Sequence, residues 1–171
     1  AIDRMLGRFS LDYLDMVYLH QPVGDYAGIW KELEKAVEKG KVRAIGISNF
    51  DYKDELFDSF IATMRQKPDA MQIECHPYAQ RAYWQEKLKE LGSILECWHP
   101  LGGRASNGEL LRDPIINRIA KAHGKTAAQI IIRWQMRDKT SLKSRFLLLG
   151  KTVNQIPAER ANRKVRQSIG R

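Results

Sequence analysis

The sequence that decides the fold begins with Val17-Tyr-Leu-His20-Gln-Pro22, a short apolar run that ends in polar residues. Two further runs of this kind follow, Gly40-Lys-Val-Arg-Ala-Ile-Gly-Ile-Ser48-Asn49-Phe50 and Gln72-Ile-Glu-Cys-His-Pro77. Segments with helical periodicity separate the runs, which is the alternation typical of parallel βα units. Because the carboxyl ends of parallel strands meet at one rim, we expect the polar residues that end the runs to converge there. These residues are His20, Ser48, Asn49 and Gln72.

The same pattern, followed along the chain, predicts an α/β protein in which strands and helices alternate. Strands are predicted over 14–20, 42–48, 70–74 and 93–98, with a fifth over 146–149. Helices are predicted over 2–10, 26–39, 52–66, 80–91, 114–123 and 126–137, and a loop over 100–108. Asp51 is the predicted N-cap of the third helix. No strand is followed by Gly-x-Gly-x-x-Gly, so the sequence lacks the Rossmann dinucleotide fingerprint.

Strand parity predicts which side chains share a face, since successive residues of a strand point to opposite sides. One parity places polar and small residues at a common centre: Met16, Tyr18, His20, Ala44, Gly46, Ser48, Gln72, Glu74, Glu96 and Trp98. Cys75 and Cys97 take the opposite parity and are expected to face the helices. We therefore prefer small buried cysteines to a zinc site built with the neighbouring histidines, His76 and His99.

Composition bounds the class of protein. The 171 residues suit one domain, and the 43% hydrophobic content suits a soluble core without a run long enough to cross a membrane. Two cysteines and a charged N-terminus without a signal-peptide pattern predict a cytoplasmic protein. Residues 137–171 hold ten Lys or Arg against two acids, which is +8 of the net charge of +9. This basic segment is typical of a solvated or anion-binding end, and its lack of interleaved aromatics disfavours nucleic-acid binding.

Each candidate residue has a structural interpretation beside the functional one. His20 is either a buried, hydrogen-bonded histidine or a group that orients a carbonyl or moves a proton. Ser48 and Asn49 either form a turn or bind a planar amide. Gln72 lies in an apolar run and needs a partner there. Trp98 either packs at the rim or stacks on the ring of an aromatic cofactor.

Five segments resemble successive motifs of the aldo-keto reductase family, in the family's order, over about residues 1–137. They are Leu11-Asp-Tyr-Leu-Asp15, Tyr18-Leu-His-Gln-Pro22, the run from Gly40 to Phe50, Gln72-Ile-Glu-Cys-His-Pro-Tyr78, and Gly124-Lys-Thr-Ala-Ala-Gln129 through Arg133-Trp-Gln135. The segments are similar to the diketogluconate reductase-like and prostaglandin F synthase-like members. The resemblance implies a (β/α)₈ barrel and the reduction of aldehydes and ketones, small carbonyl substrates, with NADPH.

The resemblance also implies a role for each matching residue. His20 matches the catalytic histidine, and Ser48, Asn49 and Gln72 match the residues that hold the nicotinamide carboxamide. Trp98 matches the aromatic residue stacked on the nicotinamide, and Leu101 lies in the loop that crosses the pyrophosphate. The motif that binds the 2′-phosphate is echoed with altered spacing by Lys151, Arg160 and Asn162.

The family's catalytic Asp, Tyr and Lys lie on strands before the one that carries His20, and we expect them to have no counterpart here. We therefore expect a partial barrel of about strands 4–8, open rather than closed, over residues 1–137, followed by a diverged segment over 138–171. Such a chain is expected to have little activity alone, or to be a non-catalytic remnant that folds or associates, with nucleotide binding as a further option. Its open strand edges and exposed Met16, Tyr18 and Trp98 predict self-association.

Overall fold

A computed structural model describes residues 1–104 and 106–136 of the chain. In chain order its elements are α1 (Ile2–Phe9), β1 (Leu14–Leu19), α2 (Tyr26–Glu38), β2 (Val42–Ser48), α3 (Asp54–Thr63), β3 (Ala70–Glu74), α4 (Ala82–Glu90), β4 (Ile94–Trp98), α5 (Glu109–Arg112), α6 (Pro114–Ala122) and α7 (Ala127–Gln135). The predicted strand over 146–149 and the predicted segment 138–171 lie outside the described residues. The predicted α/β class is confirmed.

The four strands form one parallel sheet in the order β1-β2-β3-β4. Its register aligns Tyr18 with Gly46 and, further along the strands, Ser48 with Gln72 and Gln72 with Glu96. The polar residues of neighbouring strands therefore lie side by side on one face of the sheet.

The main core lies between the sheet and the helices that connect its strands. The largest buried side chains in it include Ile45, Ile47, Met71, Ile73, Trp30 and Phe57. Phe57 on α3 meets Trp84 on α4 edge to face, with ring centroids 5.0 Å apart. Because each buried Ile or Phe stabilises a fold by about 1.5–3 kcal/mol, this layer holds the helices on the sheet.

The sequence placed the ends of α3 wrongly. The helix begins at Asp54 after Lys53, with no side-chain cap, so Asp51 is not its N-cap. The Asp51 carboxylate instead lies 3.5 Å from Arg81 Nη2. The helix ends at Thr63, not near residue 66, because the buried carboxylate of Glu34 accepts hydrogen bonds from two backbone N–H groups just beyond it.

Two further differences concern the second half of the chain. α4 begins at Ala82, not at residue 80, because Arg81 precedes it in the left-handed conformation (φ 55°). The four-residue α5 was not predicted, since one helical turn has no periodicity to read. It packs in a second core of Leu110, Ile116 and Ile131, between α5, α6 and α7.

α7 is tied to the carboxyl edge of the sheet through its last residue. Gln135 Nε2 donates hydrogen bonds to the carbonyl oxygens of Pro100 at 2.8 Å and Cys75 at 3.3 Å. Within residues 1–104 and 106–136, no helix combines the length and the apolar character needed to cross a membrane.

Candidate active site

A chain of hydrogen bonds joins the carboxyl ends of the first three strands. Ser48 Oγ donates to the carbonyl oxygen of Gln72 at 3.0 Å and accepts from Asn49 Nδ2 at 3.0 Å. Asn49 Nδ2 also donates to the carbonyl oxygen of His20 at 2.9 Å. The structure thus brings together the four residues that the strand ends were expected to contribute. Ser48 is only 3% exposed and acts as the bridge between β2 and β3.

Asn49 directs these bonds from an unusual backbone conformation. Its φ of 62° is in the left-handed region, which asparagine tolerates better than most residues. This turn lets the Asn49 backbone N–H donate to the Gln72 carbonyl oxygen at 3.2 Å while its side chain reaches back to β1. Asn49 therefore joins three strand ends at once.

A second network crosses the same face through Glu96 on β4. Gln72 Nε2 donates to Glu96 Oε1 at 2.6 Å, and the Tyr18 hydroxyl donates to Glu96 Oε2. Burial raises the pKa of Tyr18 far above its ordinary value, and the hydrogen bond to the Glu96 carboxylate raises it further. The Tyr18 proton is therefore firmly held at neutral pH.

The Tyr18–Glu96 contact also describes the shape of the face. Tyr18 lies on β1 and Glu96 on β4, three strand spacings apart, which is about 14 Å across a flat sheet. A direct hydrogen bond between these strands indicates that the face is concave. The expectation that Met16 and Tyr18 are exposed is wrong, since both are half-buried. The Tyr18 ring lies over Gly46 and extends toward β4, so it is not left at an open surface.

Trp98 ends β4 at the rim of this face and is 48% exposed, as expected. Its ring packs against that of His99, with centroids 3.5 Å apart and planes tilted by 34°. Leu101, three residues later, packs on the second core of α5, α6 and α7. The indole thus offers an aromatic surface at the rim, whereas Leu101 contributes packing.

Of the remaining candidate residues, the structure describes His20 but not the three proposed for the 2′-phosphate. His20 is exposed. Its backbone carbonyl oxygen accepts the hydrogen bond from Asn49 Nδ2 and so belongs to the hydrogen-bond chain. Lys151, Arg160 and Asn162 lie outside the described residues. The sequence did not single out Glu96 as a functional residue, although strand parity placed it on the correct face.

The cysteines lie on the helix side of the sheet. Cys75 is 2% exposed within the main core, and Cys97 packs against that core. The neighbouring Cys75 thiol and burial raise the pKa of Cys97. In the described part of the chain, no group of three or more His, Cys, Asp or Glu is arranged to hold a metal ion.

Comparison with known proteins gives a consistent set of matches. The family model described as "Aldo/keto reductase family" matches residues 1–159. The chain is 40% identical over 150 residues to morphine 6-dehydrogenase of Pseudomonas putida, covering 81% of this chain and 50% of that protein. It is 36% identical over 137 residues to glyoxal reductase of Bacillus subtilis, covering 80% and 48%.

Solved structures agree with the sequence matches. An aldo/keto reductase from Brucella melitensis superposes with a TM-score of 0.72 at 31% identity, covering 82% of this chain and 52% of that one. A putative 2,5-diketo-D-gluconic acid reductase B gives a TM-score of 0.72 at 30% identity, covering 82% and 48%. The chain spans about half the length of the curated relatives it matches.

Proposed function

Because the chain belongs to the aldo/keto reductase family, we propose that its strand ends hold the nicotinamide of NADPH beside a small carbonyl substrate. The activity it serves is the reduction of aldehydes and ketones to alcohols, and membership of the family supports an oxidoreductase of this kind. The observation that carries the proposal is the hydrogen-bond chain through His20, Asn49, Ser48 and Gln72. It fixes polar groups at adjacent carboxyl ends of strands, which is where the active-site residues of βα barrels lie.

The hydrogen-bonding capacity of this chain fits a carboxamide. Asn49 Nδ2 has two hydrogens, and both are donated, to His20 and to Ser48. Gln72 Nε2 donates to Glu96. Among the described residues, the Oδ1 of Asn49 and the Oε1 of Gln72 receive no hydrogen bond, so both can accept one from a ligand. An amide –NH₂ is such a donor.

The other residues have complementary roles in the proposal. The exposed face of Trp98 supports the nicotinamide ring by stacking. His20 orients the carbonyl oxygen of the substrate. When bound, NADPH supplies the hydride that reduces the carbonyl carbon. Leu101 lies by the pyrophosphate, and Lys151, Arg160 and Asn162 provide charge and hydrogen bonds for the 2′-phosphate.

We further propose that this chain has little turnover by itself. Carbonyl reduction needs a proton donor near the carbonyl oxygen, and the Tyr18 hydroxyl is unsuited to that task because it already donates to Glu96 and burial raises its pKa. The second candidate function is therefore a non-catalytic protein that binds nucleotide or associates with itself. Within the described sheet, β1 and β4 each pair on one side only, which favours association through a strand edge.

One experiment separates these possibilities. The purified chain is mixed with NADPH and a panel of aldehydes, and the loss of NADPH absorbance is followed. In parallel, NADPH is titrated and its fluorescence is recorded. We expect saturable binding with negligible turnover. Rapid turnover would contradict the proposed low activity, and the absence of binding would contradict the nicotinamide site itself.

A further inference from the structure

We propose that Glu96 is a positioning residue that turns the Gln72 amide oxygen toward the ligand, so that the site selects a carboxamide over a carboxylate. The inference rests on the proposed nicotinamide site and adds to it a residue and a ligand preference. It starts from one contact, the 2.6 Å hydrogen bond between Gln72 Nε2 and Glu96 Oε1.

The chemistry of the two groups sets the orientation of Gln72. An ionised carboxylate only accepts hydrogen bonds, whereas the glutamine amide has a donating and an accepting end. The donating end must therefore face Glu96. The accepting oxygen, Oε1, then turns away from the carboxylate and is the end that a ligand at the strand ends would meet.

Tyr18 fixes the carboxylate itself. Its hydroxyl donates to Glu96 Oε2 while Gln72 occupies Oε1, so the two oxygens are held by donors from β1 and β3. Glu96 and Gln72 are adjacent in the register of the parallel sheet and are both half-buried. Because donors from two strands hold both of its oxygens, the Glu96 carboxylate has little freedom to rotate away from Gln72.

The negative charge of Glu96 favours a carboxamide ligand over a carboxylate, as the orientation of the Gln72 amide does. Within residues 1–104 and 106–136, no Lys or Arg forms an ion pair with Glu96. A carboxylate ligand would place a second negative charge near Glu96 and would offer the Gln72 oxygen no hydrogen. A carboxamide offers an N–H donor to that oxygen and carries no charge.

The test compares two dinucleotides that differ only at this group, NADP⁺ with nicotinamide and its analogue with nicotinic acid. The unchanged chain is expected to bind the nicotinamide form about 10- to 100-fold more tightly, as when a buried acceptor is left without its donor. Glu96→Gln supplies an amide that can donate as well as accept, so Gln72 can reverse. The preference is then expected to fall below about threefold.

Glu86→Gln is the matched control, because Glu86 lies exposed on α4 and pairs only with Lys89 in the described structure. This variant makes the same change of charge and is expected to keep the full preference. An unchanged preference in Glu96→Gln, or an equal loss in Glu86→Gln, would overturn the inference.

A second readout needs no ligand. The side-chain amide signals of Gln72 in the NMR spectrum of the free chain report its hydrogen bond to Glu96. We expect the proton shared with Glu96 to lie downfield, and to move upfield in Glu96→Gln. Tyr18→Phe keeps the charge and removes only the donor on Oε2, so the Gln72 proton is expected to stay downfield in this variant.

The two readouts separate the inference from the proposed function. If neither dinucleotide binds the unchanged chain, the nicotinamide site fails, and the Gln72 signals still test whether Glu96 positions the amide. If the dinucleotides bind and the Gln72 signals of Glu96→Gln are the same as those of the unchanged chain, Glu96 has no positioning role and the inference is wrong.

Discussion

The ring of Tyr18 lies over Gly46 so closely that a Cβ atom at Gly46 would come within 2.5 Å of Tyr18 Cε1. The same Cβ would lie 2.8 Å from the carbonyl oxygen of Ala70. Tyr18 and Gly46 are partners in the register of β1 and β2. A glycine at this position is thus what allows the tyrosine to cross the sheet toward Glu96.

Gly46→Ala is expected to destabilise the fold by about 1–3 kcal/mol, because the added methyl must displace the Tyr18 ring or the β3 backbone. The free energy of unfolding in urea measures this loss. Gly7→Ala is the control: a Cβ there meets nothing within 4 Å, and alanine favours the helix α1, so this variant is expected to gain stability. Equal stabilities of the two variants would contradict the close packing at Gly46.

Glu34 joins α2 to the segment after α3 through a buried carboxylate that is 3% exposed. It accepts hydrogen bonds from the backbone N–H groups of Arg65 and Gln66 and from Arg65 Nε. Burial alone would raise the pKa of Glu34, but these hydrogen bonds and the charge of Arg65 outweigh burial and lower it. Glu34→Gln is expected to cost about 1–3 kcal/mol at neutral pH.

The pH dependence of that loss follows from the sign of the shift. A glutamate with a lowered folded-state pKa stabilises the fold above its ordinary pKa, and this contribution disappears as the pH falls through the folded value. The stability difference between the unchanged chain and Glu34→Gln should therefore be constant near pH 7 and shrink below about pH 4. Glu38→Gln, whose exposed side chain also pairs with Arg65, should differ little from the unchanged chain.

Asn49 allows backbone strain to be separated from side-chain bonding. Asn49→Ala places alanine at a φ of 62°, which costs about 1–2 kcal/mol, whereas Asn49→Gly relieves that strain. Thermal unfolding should show Asn49→Gly as the more stable variant. Because both lose the side-chain amide, titration should show that both bind NADPH more weakly, to a similar degree. If Asn49→Gly bound NADPH more tightly than Asn49→Ala, the loss of affinity would follow stability, and this would contradict a direct role of the Asn49 side chain.

Tyr18 should resist ionisation at alkaline pH. The chain has six tyrosines, and spectrophotometric titration of the folded chain is expected to show a step well above the ordinary tyrosine pKa, because burial and the Glu96 hydrogen bond raise the pKa of Tyr18. The raised pKa stabilises the fold fully below pH about 10, and that contribution falls as the pH rises above it. Tyr18→Phe should lose the late step and the corresponding part of the alkaline decline in stability. A late step that persists would belong to another tyrosine.

The local sequence pattern was sufficient to predict where the strands of the sheet lie. Val42–Ser48 and Ala70–Glu74 have the predicted bounds, because each is a short apolar run between turn-forming residues. Parity also placed Gln72, Glu96 and Tyr18 on one face. It could not show that the Glu96 carboxylate joins the other two, since Tyr18 and Glu96 are 78 residues apart and meet only on a curved sheet.

The helix ends were set by contacts that a local pattern does not contain. Glu34, some thirty residues earlier in the chain, captures the N–H groups that would have continued α3. Arg81 contacts Asp51, which local sequence alone favours as an N-cap. Tertiary partners of this kind override residue preferences at helix ends, whereas the helix interiors follow their apolar periodicity.

The most direct test of the nicotinamide site is a calorimetric titration of NADPH into the unchanged chain, Trp98→Leu and Tyr83→Leu. Trp98 is the proposed stacking surface, and Tyr83 is a comparably exposed aromatic residue on α4. We predict saturable binding that weakens about tenfold in Trp98→Leu and is unchanged in Tyr83→Leu, since one aromatic stacking contact contributes about 0.5–1.5 kcal/mol. Absence of binding to the unchanged chain, or equal affinities in all three proteins, would contradict the account.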